Sequence, residues 1–336
     1  MDQIRAVLSA PLMRLFDLGD PFNVYYLTGA ALTAACIYIA RRPSRPLRRV
    51  RAFIRAASST KTWTHRSSIV DYKLFLFASL FYASGIGGFF GTSAAVNAGV
   101  RSLLVAVFGP APESDGASIA ATAVLAVMLV LFYDLGYWFA HWLMHRVPLL
   151  WEFHKVHHSA EVLTPMTEYR QHPVELLWFP IFAGVGTGFV YALADYLFGK
   201  GAQPLSLVWV NSLMLAFIAT FLHLRHTQLW IPARGWLGRL VQSPAHHQIH
   251  HSTDPRHFDK NLGFCLSVWD WAFGTLYVPD EREELEFGLG AESHEHDGLF
   301  SALWLPVRKG GEQIARQVAG KGTDPVPARS ADRLQA

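Results

Sequence analysis

The chain has 336 residues, of which 51% are hydrophobic, 13% aromatic and only 16% charged, less charge than an ordinary soluble domain carries. A formal charge of +3, dispersed along the chain, excludes a nucleic-acid-binding protein, and two cysteines, Cys36 and Cys265, build neither a disulfide framework nor a thiolate metal cage. Histidine is the exception: there are sixteen, thirteen of them between His141 and His257.

Met1-Asp2 opens the chain without a basic n-region, and the first long apolar run ends at Arg41-Arg42, so no cleavable signal is expected. A hydropathy window of about 19 residues finds candidate spans near 22–40, 72–94, 118–143, 174–197 and 205–225. The expectation is an all-α polytopic membrane protein with four to five transmembrane helices. Gly85, Gly87, Gly88 and Gly91 in the second run suit close helix packing or a re-entrant hairpin.

The loop 41–73 carries ten Lys and Arg against Asp71 alone, whereas the loop 97–118 carries Arg101 with Glu113 and Asp115. The positive-inside rule places the first loop in the cytoplasm. Counting forward puts the N-terminus outside and brings the ends of spans three and five, near His145 and His226, to the cytoplasmic face. Beyond them, 237–241 and 262–278 are too short or interrupted to cross and are expected to form a cytoplasmic helical cap. The chain thus divides into an N-terminal membrane region (1–117), a region 118–308 that holds the clustered histidines, and a tail (309–336) whose composition reads as disordered.

Four histidine clusters fall on that one face. His141 and His145 are spaced i, i+4. His154, His157 and His158 follow the Val147-Pro148 break at i, i+3 and i+4, and His247, His250 and His251 repeat that spacing behind His246. His223 and His226 end the last span. Such spacing puts imidazoles on one helical face. One ion takes three or four ligands, so eight or nine imidazoles imply a dinuclear site, which imidazole allows for zinc, copper, iron or nickel. Asp134, one heptad before His141 in an apolar run, is read as an acceptor orienting a ligand imidazole or as a proton relay, with a helix-packing hydrogen bond as the plainer alternative. His65, His257, His294 and His296 stand outside the clusters.

From Asp134 to Pro279 the order of motifs resembles the fatty acid hydroxylase and sterol desaturase superfamily of membrane-bound, non-haem di-iron enzymes. The resemblance rests on HWLMH, HKVHHS, Arg170-Gln-His172-Pro-Val-Glu175, HTQLWIP, SPAHHQIHHS, Asn261-Leu-Gly263 and Trp269-Asp270-Trp-Ala-Phe273-Gly274-Thr275. It implies a fatty acid hydroxylase-like domain in which His141, His145, His154, His157, His158, His226, His247, His250 and His251 bind two iron ions. His172, His223, Asp134, Arg170 and Glu175 are further ligands or supports of ligands. The metal centre itself is the catalytic group, with no side-chain nucleophile. The implied reaction is O2-dependent hydroxylation or desaturation of a lipid such as a sterol, fatty-acyl lipid or ether lipid taken from the bilayer. Without a haem, iron–sulfur or Rossmann motif, electrons must come from a separate ferredoxin, cytochrome or flavin reductase. The alternative is a zinc-dependent membrane hydrolase with Glu152, Glu168 or Glu175 as base. A metal transporter would need polar span interiors, and here only Asp134 and Asp195 interrupt them.

Overall fold

The computed structural model describes residues 9–40, 46–84, 91–113, 116–199, 206–207 and 210–320. A short helix over 9–13 precedes α1 (Val24–Ala40), α2 (Pro46–Ala57), a single turn Thr60–Trp63, α3 (Arg66–Ala83), α4 (Thr92–Phe108), α5 (Ile119–Arg146), α6 (Pro148–His158) and α7 (Pro173–Phe198). Then come α8 (Ser212–Thr220), α9 (Gly235–Leu240), α10 (Pro244–His250), α11 (Val268–Phe273) and α12 (Leu299–Val318). The fold is helical: among the described residues the strands are one two-residue antiparallel pair, Ser206–Leu207 with Val210–Asn211.

Helices α5 and α7, with 28 and 26 residues, are long and apolar enough to cross a membrane. At ~1.5 Å per residue each exceeds the ~30 Å of hydrocarbon. They pack antiparallel, and glycines set the spacing. A Cβ at Gly136 would overlap the Phe182 carbonyl, and one at Gly186 would overlap the Phe132 carbonyl. The missing side chain lets the two backbones touch. Helix α4 lies parallel to α7, with Ser93 against Gly188 and Asn97 Nδ2 donating to Asp195 Oδ2 at 2.9 Å. Of the glycines expected to pack helices or form a re-entrant hairpin, Gly91 meets open space, and Gly85, Gly87 and Gly88 lie outside the described residues.

Three expectations change. The second span, 72–94, is not one helix. Helix α3 ends at Ala83 and α4 starts at Thr92, so the expected loop 97–118 is helical as far as Phe108. The four glycines between 85 and 91 are the weakest helix formers of that run. The fifth span, 205–225, is divided by Asn211, whose Oδ1 accepts from Leu213 N and Met214 N and thereby starts the nine-residue α8. Among the described residues two helices are both long and apolar enough to span, while α1, α4 and α8 with its following turn are apolar but shorter. Finally, the described parts of the basic loop and of the tail are largely helical. Helix α2 and the start of α3 occupy the former, with Arg41, Arg42 and Arg45 outside the described residues. Helix α12 runs past Lys309, which pairs with Glu295 at 2.7 Å, and 321–336, more than half of the tail, lies outside the described residues.

Arg170 ties these parts together beneath the histidines. It is fully buried and donates to Val156 O, Ser67 O, Asp71 Oδ1 (3.0 Å) and Ser159 Oγ (2.7 Å). Asp71 also accepts from Thr164 and Thr167, so a single buried pair joins α3, the end of α6 and the 164–170 turn.

Candidate metal centre

Each histidine-bearing segment is started or stopped by a local signal. Helix α5 ends at Arg146, and Pro148 at the first position of α6 restarts the helix in a new direction. Ser243 caps α10, whose first residue is also a proline, and the 3-10 turn Leu222–Leu224 leads into His226. These four segments bring nine buried imidazoles together in two groups, within each of which the candidate ligand atoms lie within 4.8 Å of one another. One group is His141, His145, His154, His158 and His250; the other is His157, His226, His247 and His251.

The two HxxHH segments interlock. Each gives its i, i+4 pair to one group, His154 and His158 to the first and His247 and His251 to the second. Each gives its i+3 member, His157 or His250, to the opposite group. Inner nitrogens crowd each centre: His141 Nε2 lies 3.0 Å from His154 Nε2, and His226 Nε2 lies 2.8, 3.0 and 3.3 Å from those of His247, His251 and His157.

Outer nitrogens face groups that only accept hydrogen bonds. His141 Nδ1 meets Leu262 O (2.8 Å), His145 meets Asp259 Oδ1 (3.2 Å), His154 meets Glu175 Oε1 (2.6 Å) and His250 meets Lys260 O (2.9 Å). In the second group His157 Nδ1 meets Arg170 O (3.2 Å) and His226 Nδ1 meets Glu168 Oε2 (3.1 Å). A carbonyl or carboxylate fixes the proton on Nδ1, which leaves the Nε2 lone pair pointing inward. Burial first, and the crowding of the other histidines second (with Arg225 at His247), hold His157, His158, His247 and His251 well below the usual imidazole range, hence neutral. Converging lone pairs about 3 Å apart repel one another unless a cation sits between them. His158 Nε2 is buried with no hydrogen-bond partner among the described residues, as a metal ligand's would be. The donor set therefore fits two ions that accept imidazole.

Carboxylates stand behind the ligands rather than among them. Burial would raise Glu168, but the Arg225 guanidinium at 2.6 and 2.8 Å and His226 outweigh it and hold its carboxyl at about 2. Sequence reading missed Asp259 and the role of Asp270. Asp259 and Asn261 both have φ 57°, a left-handed conformation that Asp and Asn tolerate, and this turns the Lys260 and Leu262 carbonyls toward His250 and His141. Asp270 clamps that strip by accepting from Leu262 N, Gly263 N, Thr275 Oγ1 and Trp138 Nε1 at 2.6–3.0 Å. Two left-handed formers in Asp259-Lys-Asn261 were the available signal.

Other candidates sit elsewhere. Asp134 orients no imidazole: Oδ1 accepts from Cys265 N (2.7 Å) and Leu266 N (3.2 Å), so it holds the loop carrying Leu262 onto α5. Its place in the middle of α5 is level with a loop, not with the histidines. His172 caps α7 with Nδ1 accepting from Val174 N, and its Nε2 donates to Leu303 O. It joins neither group, but its backbone N–H donates to Glu175 Oε2 (2.9 Å) and so steadies the carboxylate behind His154. His223 also joins neither group, because Nε2 donates to Pro21 O at 2.7 Å. Arg170 contributes its carbonyl, not its guanidinium. His246 is buried against Ser243, His257 lies 3.0 Å from Glu283, and His65 caps α3.

A cavity of about 1130 Å³ comes up to the residues that back the centre, and no histidine of either group is among those lining it. Its inner wall includes Glu168 and Glu175, one behind each histidine group, and Tyr137 and Phe179, whose rings pack on His141 at 5.7 Å. Leu176, Pro180, Ala183 and Gly184 make an apolar flank along α7, and residues 10–21 close the outer end.

Residues 126–275 match the fatty acid hydroxylase family model. An alkylglycerol monooxygenase of Caenorhabditis elegans is 26% identical over 181 residues, 53% of this chain and 32% of that protein. The chain thus spans about a third of the length of that relative. An ornithine lipid hydroxylase of Rhizobium tropici is 26% identical over 87% of this chain and 78% of its own length, and a Delta(7)-sterol 5(6)-desaturase of Candida albicans is 25% identical over 58% and 43%. No solved structure matches the chain. The family match begins within α5, before the first histidines, and ends at Thr275, so the segment that is similar to the fatty acid hydroxylase family takes in both histidine groups and the Asp270 clamp.

Proposed function

We propose that the chain is a multi-pass membrane oxygenase that inserts oxygen into, or removes hydrogen from, an unactivated C–H bond of a lipid. The observation that carries this reading is the pair of interlocked histidine groups set against an apolar cavity. Iron bound by the nine imidazoles would supply the redox chemistry with O2, and the three relatives, named for lipid monooxygenation, hydroxylation and desaturation, favour iron among the metals that accept imidazole.

The protein's part is binding and orientation. Outer hydrogen bonds fix the imidazole tautomers, and Tyr137 and Phe179 hold the acyl chain against His141. The apolar flank excludes water from the chain being oxidised. Electrons come from a separate ferredoxin, cytochrome or flavin reductase. Basic residues before α3 support a metal site on the cytoplasmic face, where such a donor can reach it. Zinc hydrolysis is the weaker reading, since each candidate base is engaged: Glu152 with Lys155 (2.9 Å), Glu168 with Arg225 and Glu175 with His154.

Full-length protein in lipid nanodiscs, supplied with a reductase and O2, tests this. Oxygen uptake coupled to a lipid that gains one oxygen or loses two hydrogens is expected. Ester or amide cleavage without oxygen uptake would overturn it.

A further inference from the structure

The outer end of the cavity holds polar groups that the oxidation chemistry does not use. Tyr169 is among the residues lining the cavity, and its hydroxyl is buried with no hydrogen-bond partner among the described residues. Burial pushes its ionisation well above the usual phenol range, so it remains an O–H donor. Its ring is fixed: Phe22 and Phe75 pack on it at 5.4 and 5.2 Å, and the Arg14 guanidinium covers it at 5.0 Å. A fixed, buried donor with no partner is costly unless a ligand accepts from it.

Charge around this hydroxyl is lopsided. Arg14 is the one cation among the described residues lining the cavity, and Asp20 neutralises it with oxygens at 2.6 and 3.3 Å while Ser79 takes its remaining arm. Asp17, on the same wall, faces no cation in any ion pair among the described residues. Glu168 is answered by Arg225 outside the cavity. The outer end therefore carries an excess negative charge beside an unused donor, next to an exposed apolar rim at Met13 and Phe16 that suits a bilayer.

We propose that this end of the cavity is a headgroup subsite selective for lipids bearing an amine, in which Tyr169 donates to a carbonyl or hydroxyl oxygen of the headgroup and Asp17 faces its ammonium. Resting on the lipid-oxidation reading, the proposal adds which lipids qualify: anionic headgroups meet Asp17 and Asp20 with the one cation already paired, and are disfavoured. Tyr169 and Asp17 are specificity residues and take no part in the chemistry.

Binding without turnover separates this from the oxidation reading. Three probes share one palmitoyl amide and differ in charge: N-palmitoyl-1,4-diaminobutane, N-palmitoyl ethanolamine and N-palmitoyl glycine. Their affinities for the purified full-length protein in neutral detergent, without reductant, are compared by competition against a fluorescent acyl amide. The amine probe is expected to bind about tenfold more tightly than the carboxylate probe. Asp17→Asn should shrink that gap to about threefold, and Tyr169→Phe should weaken all three probes about fivefold while leaving the gap intact. Equal binding of amine and carboxylate probes by the unmodified protein overturns the proposal whatever the variants do, as does an unchanged affinity series in Tyr169→Phe. Oxygen uptake is not read, so neither result bears on whether lipid is oxidised.

Discussion

The two histidine groups are built from the same repeated motif, yet they are braced differently. In the five-histidine group four outer nitrogens are tied, two to carbonyls of the 260–262 strip and two to Asp259 and Glu175. In the four-histidine group only His157 Nδ1 is hydrogen-bonded, to the Arg170 carbonyl; His226 Nδ1 lies 3.1 Å from Glu168 Oε2, and Nδ1 of His247 and His251 has no hydrogen-bond partner among the described residues. Bracing of a ligand's far nitrogen sets ring orientation and basicity. The first group is therefore a preformed cradle, and the second depends on Glu168 with Arg225 and on the Arg170 carbonyl. The second ion should be the weaker and faster to exchange.

The largest expected effect comes from the ligands. His157→Ala leaves three imidazoles in the second group, so about one metal per chain should be lost and turnover abolished. His250→Ala leaves four in the first group and should retain more metal while also abolishing turnover. Full activity in either variant would contradict the ligand assignment, and equal metal loss would erase the distinction between the groups. His294→Ala, at an exposed position, is the control and should change neither metal content nor turnover.

Next come the braces. Glu168→Gln should lower metal affinity at the second group by about 10–100-fold, and Glu175→Gln should do the same at the first. Metal titrations followed by calorimetry would distinguish them. Glu168→Gln should also destabilise the fold by about 3–5 kcal/mol, because it leaves Arg225 buried and unpaired, whereas Glu175→Gln strands no cation. A similar loss of about 3–5 kcal/mol is expected for Asp71→Ala, which strands Arg170 and moves the carbonyl that braces His157.

The smallest effect lies away from the metal. Gly136→Ala pushes a methyl into the Phe182 carbonyl between α5 and α7 and should cost about 1–3 kcal/mol, lowering the melting temperature with metal content unchanged. Gly91→Ala meets open space and should be neutral or slightly stabilising. If the two variants melt alike, the close approach of α5 and α7 is not tight.

Histidine spacing made the centre legible because i, i+3 and i+4 residues share a helical face whatever the tertiary fold. All nine motif histidines come together, but which ion each serves was not legible, since the crossing of His157 and His250 depends on how α6 faces α10. His172 and His223 looked like ligands for their position near motifs, yet their nitrogens go to the backbone of distant segments, Leu303 and Pro21. Hydropathy located α5 and α7, whose apolar runs are long and uninterrupted. It misjudged 72–118 and 205–225, where four glycines and the Asn211 cap break apolar runs into short helices without lowering their average hydrophobicity. Close packing of α5 on α7 was invisible for a related reason: Gly136 and Gly186 are single glycines in apolar helices, and only the facing carbonyl shows what each permits.

Counting metals per chain by elemental mass spectrometry, on full-length protein purified in detergent from iron-replete cells and then dialysed against a mild chelator, tests the central claim most directly. Two irons falling toward one during dialysis, with the loss accelerated in Glu168→Gln, is the predicted result. One zinc with negligible iron, unchanged after reconstitution with iron under reducing conditions, would contradict both the dinuclear centre and its unequal halves.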